Sequence, residues 1–304
     1  KEILKRYVGL DSKVVEHGVD FKIFNPIDPQ KKDRLKELND LDGYFVIGID
    51  AYNTSRKNLP VAFQAYAELL KRHKDIKLWL NSETFTPMGH MLSNVAAREG
   101  IAGQIRITPW KNEMQTTPAE LGLIYKMFDV HLLPTTGEGF GLPLLQAMAT
   151  GIPNITTDFA SGIYVCEGTP PSELRDGQTE DIWIGKTGVY LKPQFKIIDF
   201  QGVNKAYVEA WQIVEAVEML YNDDKLRRRL GREGYKRASE HYPWQKKVEE
   251  MNKIINEVIE EKPRKKIQAK NSIKILFKII NPCLSFSFFS PSLCLYSIGT
   301  SIIL

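Results

Sequence analysis

The chain has 304 residues, 43% of them hydrophobic, and a formal net charge of +4, a composition that can bury a sizeable core and excludes a chain too polar to fold. The charge is unevenly spread: Lys262, Arg264, Lys265, Lys266, Lys270, Lys274 and Lys278 give residues 262–304 seven positive charges and no acid, which leaves −3 for the rest. A mildly acidic body argues against general nucleic-acid binding, and the scattered Cys166, Cys283 and Cys294 exclude a disulfide framework and a cysteine metal site, pointing to a reducing, cytoplasmic compartment.

Taken in chain order, residues 13–26 hold a His17-Gly18-Val19-Asp20 turn. An apolar run at 44–49 predicts a strand, 52–60 a loop, and 61–73 a helix. Strands follow at 76–80 and 104–107, separated by a helix over 88–99 with Gly100 as its stop signal, and a loop opens at Thr108-Pro109-Trp110. A helix over 118–127 leads to a short buried strand at 128–133, a loop at 134–141, and a helix that starts at Pro143 and ends at Gly151. Strands at 154–157 and 187–191 flank an insertion, 167–184, rich in Gly, Pro, Asp and Glu, which reads equally as a flap or a partner-binding loop. Long helices are predicted over 203–222 and 245–261. This alternation predicts an α/β fold with a doubly wound parallel sheet, whose ligands bind at the carboxyl ends of the strands.

Both loops that carry chemistry fall at those ends. The glycines of Gly137-Glu138-Gly139-Phe140-Gly141-Leu142 let backbone N–H groups approach a ligand, and the following helix adds partial positive charge, so an anion is the expected guest. Taken bare, such a turn is equally ordinary turn chemistry. The basic pair Arg56-Lys57 precedes the first helix of the alternation, where two solvated cations are the plain alternative.

The full string from Gly137 through Pro153, Gly-Glu-Gly-Phe-Gly-Leu-Pro-Leu-Leu-Gln-Ala-Met-Ala-Thr-Gly-Ile-Pro, resembles the signature of retaining glycosyltransferases of family 4, whose GT-B fold pairs two Rossmann-like domains. The resemblance spans about 13–262 and departs in two places. Gln146 stands where the family has a second Glu, and Tyr52 stands where it has a phosphate-clamping Arg. It implies that Glu138 lies beside the donor sugar as the catalytic carboxylate. Arg56, Lys57 and the backbone of Gly139, Phe140, Gly141 and Leu142 would hold the diphosphate, Gln146 the ribose, and Trp110 would border the nucleobase. A Gln accepts a hydrogen bond without charge, roughly a kcal/mol weaker than a carboxylate. It further implies sugar transfer from a UDP-, GDP- or ADP-sugar with retention, without a cofactor or obligatory metal, to a glycan or lipid acceptor.

Residues 13–26 resemble the family's hinge, so residues 1–20 are expected to be the remnant of a first domain and 21–262 the Rossmann-like, C-terminal donor-binding domain of a GT-B fold. The N-terminal acceptor domain is expected to be largely absent, with a separate N-terminal domain as partner. The alternative is a non-catalytic nucleotide-sugar-binding subunit. Residues 263–304 fall outside the domain, and their apolar end, interrupted by Pro282, Pro291 and Gly299, leaves three readings: a weak membrane anchor giving peripheral contact, a partner-binding or disordered segment, and an out-of-family sequence from a misread frame.

Overall fold

The computed structural model describes residue 9 and residues 12–108, 116–168, 180–199 and 202–260. Trp110, most of the 167–184 insertion and the tail therefore lie outside the described residues. Two units are distinguished, His17–Trp244 and the pair of segments Lys1–Glu16 and Gln245–Leu304.

In the larger unit the chain runs α1 (Pro29–Glu37), β1 (Phe45–Asp50), a single 3-10 turn (Ser55–Lys57), α2 (Leu59–Arg72), β2 (Ile76–Asn81), α3 (Leu92–Arg98) and β3 (Ile105–Ile107). It continues through α4 (Pro118–Met127), β4 (Val130–Leu133), α5 (Leu142–Ala149), β5 (Asn154–Thr157), α6 (Ser161–Glu167), β6 (Ile182–Ile184) and β7 (Gly188–Leu191). A hairpin, β8 (Phe195–Ile198) and β9 (Asn204–Tyr207), precedes α7 (Ala210–Asn222) and α8 (Asp224–His241). The helix α9 (Trp244–Glu260) lies almost wholly in the smaller unit, where Lys247 pairs with Glu16 and Glu250 at 3.3 Å each and Lys13 pairs with Glu257.

The strands β1 to β7 form one sheet in the order β3-β2-β1-β4-β5-β7-β6, parallel throughout except for the β6–β7 pair. Strands β4, β5 and β7 are buried at every position, as expected of parallel strands covered by helices on both faces. Helix α2 turns Leu59, Ala62, Phe63, Ala65 and Leu69 inward and packs on α7, while α5 packs on α8. Burial of each large apolar side chain contributes about 1.5–3 kcal/mol. Gly48 is required in β1 because a Cβ there would lie 2.1 Å from the Phe128 ring. At the amino end of the sheet, Asp129 holds α1 in place, accepting from Lys32 at 2.8 Å, Lys36 at 2.5 Å and the Val46 amide at 2.7 Å.

The doubly wound α/β sheet is as the sequence predicts, with three corrections. The expected helix 203–222 begins only at Ala210: Asn204–Tyr207 pairs antiparallel with Phe195–Ile198, and the Glu209–Gln212 capping box sets the helix start. The helix expected from 88 begins at Leu92, because residues 83–90 bond to Asn53 instead. Finally, Ile182–Ile184, inside the supposed insertion, is the antiparallel edge strand.

Candidate functional site

The order of strands reverses between β1 and β4. From β1 the chain winds outward through β2 to β3, then returns to β4 and winds the other way through β5 to β7. At such a switch point the loops leaving the two adjacent strands diverge to opposite faces and open a crevice at the carboxyl edge. The loops here are those leaving β1 and β4, which carry Arg56-Lys57 and Gly137–Leu142.

Each loop is fixed by its own sequence. After β1, the Asn53 amide donates to the Glu83 and His90 carbonyls at 3.2 and 2.8 Å and accepts from the His90 amide at 3.0 Å. The Ser55 amide donates to the Met88 carbonyl at 3.0 Å. The 3-10 turn then closes through Lys57 N–H to the Thr54 carbonyl at 3.0 Å, which directs Lys57 inward. After β4, the Thr136 amide donates to the Arg56 carbonyl at 2.8 Å, and the Thr135 and Thr136 hydroxyls both reach the same oxygen at 3.2 Å. The two loops are thus joined by backbone as well as by charge.

Their side chains converge on Glu138. Lys57 Nζ lies 2.5 Å from Oε1 and Arg56 Nη1 lies 2.9 Å from Oε2, while the same Nη1 donates to the Gly137 carbonyl at 2.6 Å. The Lys57 and Glu138 side chains are only 7% and 6% exposed, whereas that of Arg56 is 37% exposed. Burial works against the Glu138 carboxylate, but the Lys57 and Arg56 charges outweigh it and hold its pKa below the usual carboxylate range. Glu138 is therefore an ionised group held between two cations, one of them open to solvent.

Gly141 has φ +100 and forms the N-cap of α5, a conformation that suits glycine, and Pro143 follows within the first turn, where no N–H is needed. The Ser161 hydroxyl donates to the Glu138 carbonyl at 2.7 Å and pins the loop from the other side. Gly139 and Leu142 are exposed, and Phe140 meets the His17 and Tyr242 rings edge-on at 5.1 and 6.0 Å. One turn into α5, Gln146 meets Tyr125 rather than the ion pair, with its Oε1 3.2 Å from the phenolic oxygen. Tyr52 is 51% exposed and adds no charge. His17 precedes a turn in which the Asp20 carboxylate accepts from the Lys22 amide at 2.8 Å.

The structure thus brings Arg56, Lys57, Glu138 and Gly139 to Leu142 to one crevice, and sets Gln146 one turn further along the helix, against Tyr125. Sequence reasoning missed Asn53, Thr135 and Thr136, which shape the loops, and Asp50 and Tyr125, which meet Gln146. A carboxylate at the carboxyl end of a buried strand was the one signal for Asp50. Among the described residues, no group of three or more His, Cys, Asp or Glu side chains is placed to hold a metal ion, and no helix is long and apolar enough to cross a membrane.

Residues 45–177 match the family described as Glycosyl transferases group 1. Over 181 residues the chain is 29% identical to a D-inositol 3-phosphate glycosyltransferase of Corynebacterium urealyticum, covering 59% of this chain and 42% of the relative. It therefore spans less than half of that relative's length. Among solved structures, the C-terminal domain of a glycosyl transferase group 1 family protein from Francisella tularensis superposes with a TM-score of 0.55 at 22% identity, covering 74% of this chain and 99% of the domain. Anabaena HepE, solved in complex with UDP-glucose, superposes with a TM-score of 0.62 at 14% identity, covering 81% of this chain and 57% of that one. The sheet and its switch-point crevice are thus those of the Rossmann-like C-terminal domains of GT-B proteins, and the stretch 45–177 that carries both loops is similar to the group 1 glycosyltransferases.

Proposed function

We propose that this chain supplies the donor half of a retaining glycosyltransferase of the family 4 type, taking a nucleotide-diphosphate sugar and working without an obligatory metal. The observation that carries the reading is the convergence of Lys57 and Arg56 on Glu138 beside the Gly139–Leu142 turn at the switch point. Breaking the bond between the sugar and the diphosphate leaves negative charge on the phosphate oxygen and positive character on the sugar carbon. Lys57, Arg56 and the backbone N–H groups of the Gly139–Leu142 turn stabilise the first, and the Glu138 carboxylate stabilises the second. Such preorganised charge is worth more in a site shielded from water, and the buried Lys57 and Glu138 meet that condition.

Gln146 takes the ribose in this reading, and Trp110 borders the base. The acceptor, a glycan or a lipid, would be bound by a separate domain, with the basic tail offering contact with a membrane surface. A binding-only subunit is not favoured, since the family matched over 45–177 is one of transferases. UDP-sugars are the donors to try first, because a protein of the same fold was solved with UDP-glucose. The test is release of free nucleoside diphosphate from UDP-, GDP- and ADP-sugars by the full chain and by Lys57→Ala and Glu138→Gln. Binding or turnover of one donor, lost in both variants, supports the reading. A folded chain that neither binds nor turns over any of them refutes it.

A further inference from the structure

Around the Tyr125 hydroxyl there are too few protons for the oxygens that meet there. The phenolic oxygen lies 2.9 Å from Asp50 Oδ2, 3.2 Å from Gln146 Oε1 and 3.3 Å from the Pro143 carbonyl, three acceptors for one O–H. The rest of the cluster is fully specified. Asn81 Nδ2 donates to Asp50 Oδ1 at 2.7 Å, and the Thr116 hydroxyl donates to Asn81 Oδ1 at 3.0 Å. Asp50 and Asn81 are cross-strand neighbours at the ends of β1 and β2, so the sheet holds the two side chains beside each other.

With Asp50 left ionised, the Gln146 amide is the group that can resolve the conflict. Its oxygen and nitrogen have nearly the same shape and are assigned from their hydrogen bonds. Turned by half a rotation, Nε2 donates one proton to the Tyr125 oxygen and Tyr125 donates to Asp50, so Asp50 and Gln146 no longer compete for the one phenolic proton. We propose that Asp50 and Tyr125 are positioning residues that fix the direction of the Gln146 amide, so that its carbonyl oxygen faces the crevice as the acceptor for a ribose hydroxyl. The ribose part of this statement rests on the donor-site reading above; the direction of the chain of hydrogen bonds does not. Asp50 thereby explains why position 146 is Gln here and not the Glu of the family pattern: a carboxylate would return a second acceptor to Tyr125, with no proton to satisfy it.

Reversing the chain gives the test. In Gln146→Glu the conflict is restored, and in Asp50→Asn alone Tyr125 loses its carboxylate acceptor. In the double variant, the new amide at position 50 donates to Tyr125 and Tyr125 donates to the new carboxylate at position 146, so the phenolic proton again has a single acceptor. The expected result in the full chain is a lowered melting temperature for Gln146→Glu, recovered on adding Asp50→Asn, and loss of that recovery in a Tyr125→Phe background. Titration with UDP, GDP and ADP should show Gln146→Glu about tenfold weaker for the nucleotide that binds, because a carboxylate repelled by Asp50 and Tyr125 swings away and the ribose loses its hydrogen bond, with part of the affinity regained in the double variant. Additive melting-temperature changes, the same with and without Tyr125, would overturn the inference. So would tighter nucleotide binding by Gln146→Glu alone. Non-additive melting temperatures in a chain that binds no nucleotide would instead overturn the donor-site reading and leave the hydrogen-bond direction standing.

Discussion

His131 offers a test of the packing beneath the crevice. It lies in the middle of the sheet on β4, fully buried, with Nδ1 2.7 Å from Asn154 Oδ1. Asn154 uses its own N–H to reach the Leu144 carbonyl at 3.1 Å, so its oxygen is the acceptor and His131 is the donor. His131 Nε2 has no partner among the described residues and holds no proton to place. Burial pushes the imidazole pKa down from 6.5 to about 4, the Lys57 charge acts in the same direction, and the Asn154 hydrogen bond acts against them. The sign follows from which state takes the proton: below pH 6.5 the unfolded chain binds it while the fold does not, so stability is full above 6.5 and falls as pH drops towards 4. At about 1.4 kcal/mol per pH unit, the loss over that window is about 3 kcal/mol from this group alone. His131→Asn keeps a donor at the Nδ1 position and removes the titration. Urea unfolding of both proteins at steps from pH 7.5 to 4 should show the wild type losing about 3 kcal/mol more than the variant. Parallel pH profiles would refute the reasoning.

Two further outcomes follow from single contacts. Asp129→Ala strands Lys32 and Lys36 at the amino end of the sheet and should cost about 3–5 kcal/mol in unfolding free energy; a loss below 1 kcal/mol would show that both lysines simply turn to water. Gly141→Ala places a Cβ on a residue with φ +100 and 3.1 Å from Leu144 Cδ1, which should cost about 1–2 kcal/mol and shift the loop that holds Glu138, an effect read by thermal unfolding together with donor binding. Unchanged stability and binding would mean that the left-handed cap is not needed.

Much of the fold was legible because its signal is local. The strands 128–133 and 154–157 are short runs dominated by apolar or β-branched residues, and the helix beginning near Pro143 announces itself through the glycines before it and Gly151 after it. The hairpin at 195–207 was hidden because its strands have four residues each and Phe195–Ile198 is exposed at every position, and its pairing lies between segments whose strand character shows only when they meet. For the helix expected at 88, the deciding partner is Asn53, over thirty residues away. The same division holds at the site. Arg56, Lys57 and Glu138 were marked by residue type and loop, but their mutual ion pairing depends on the order of strands in the sheet. Gln146 was read by its difference from a pattern, and only the tertiary contact with Tyr125 and Asp50 gives that difference a physical partner.

The central claim is that the crevice between the β1 and β4 loops holds a nucleotide-diphosphate sugar through Lys57. Calorimetric titration of the full chain with UDP-glucose, GDP-mannose and ADP-glucose, repeated with Lys57→Ala, tests it most directly. The account predicts saturable binding of one donor by the wild type and at least tenfold weaker binding by the variant, which loses the buried cation and leaves Glu138 opposed to the diphosphate. Equal affinity in the two proteins, with both folded, would contradict it.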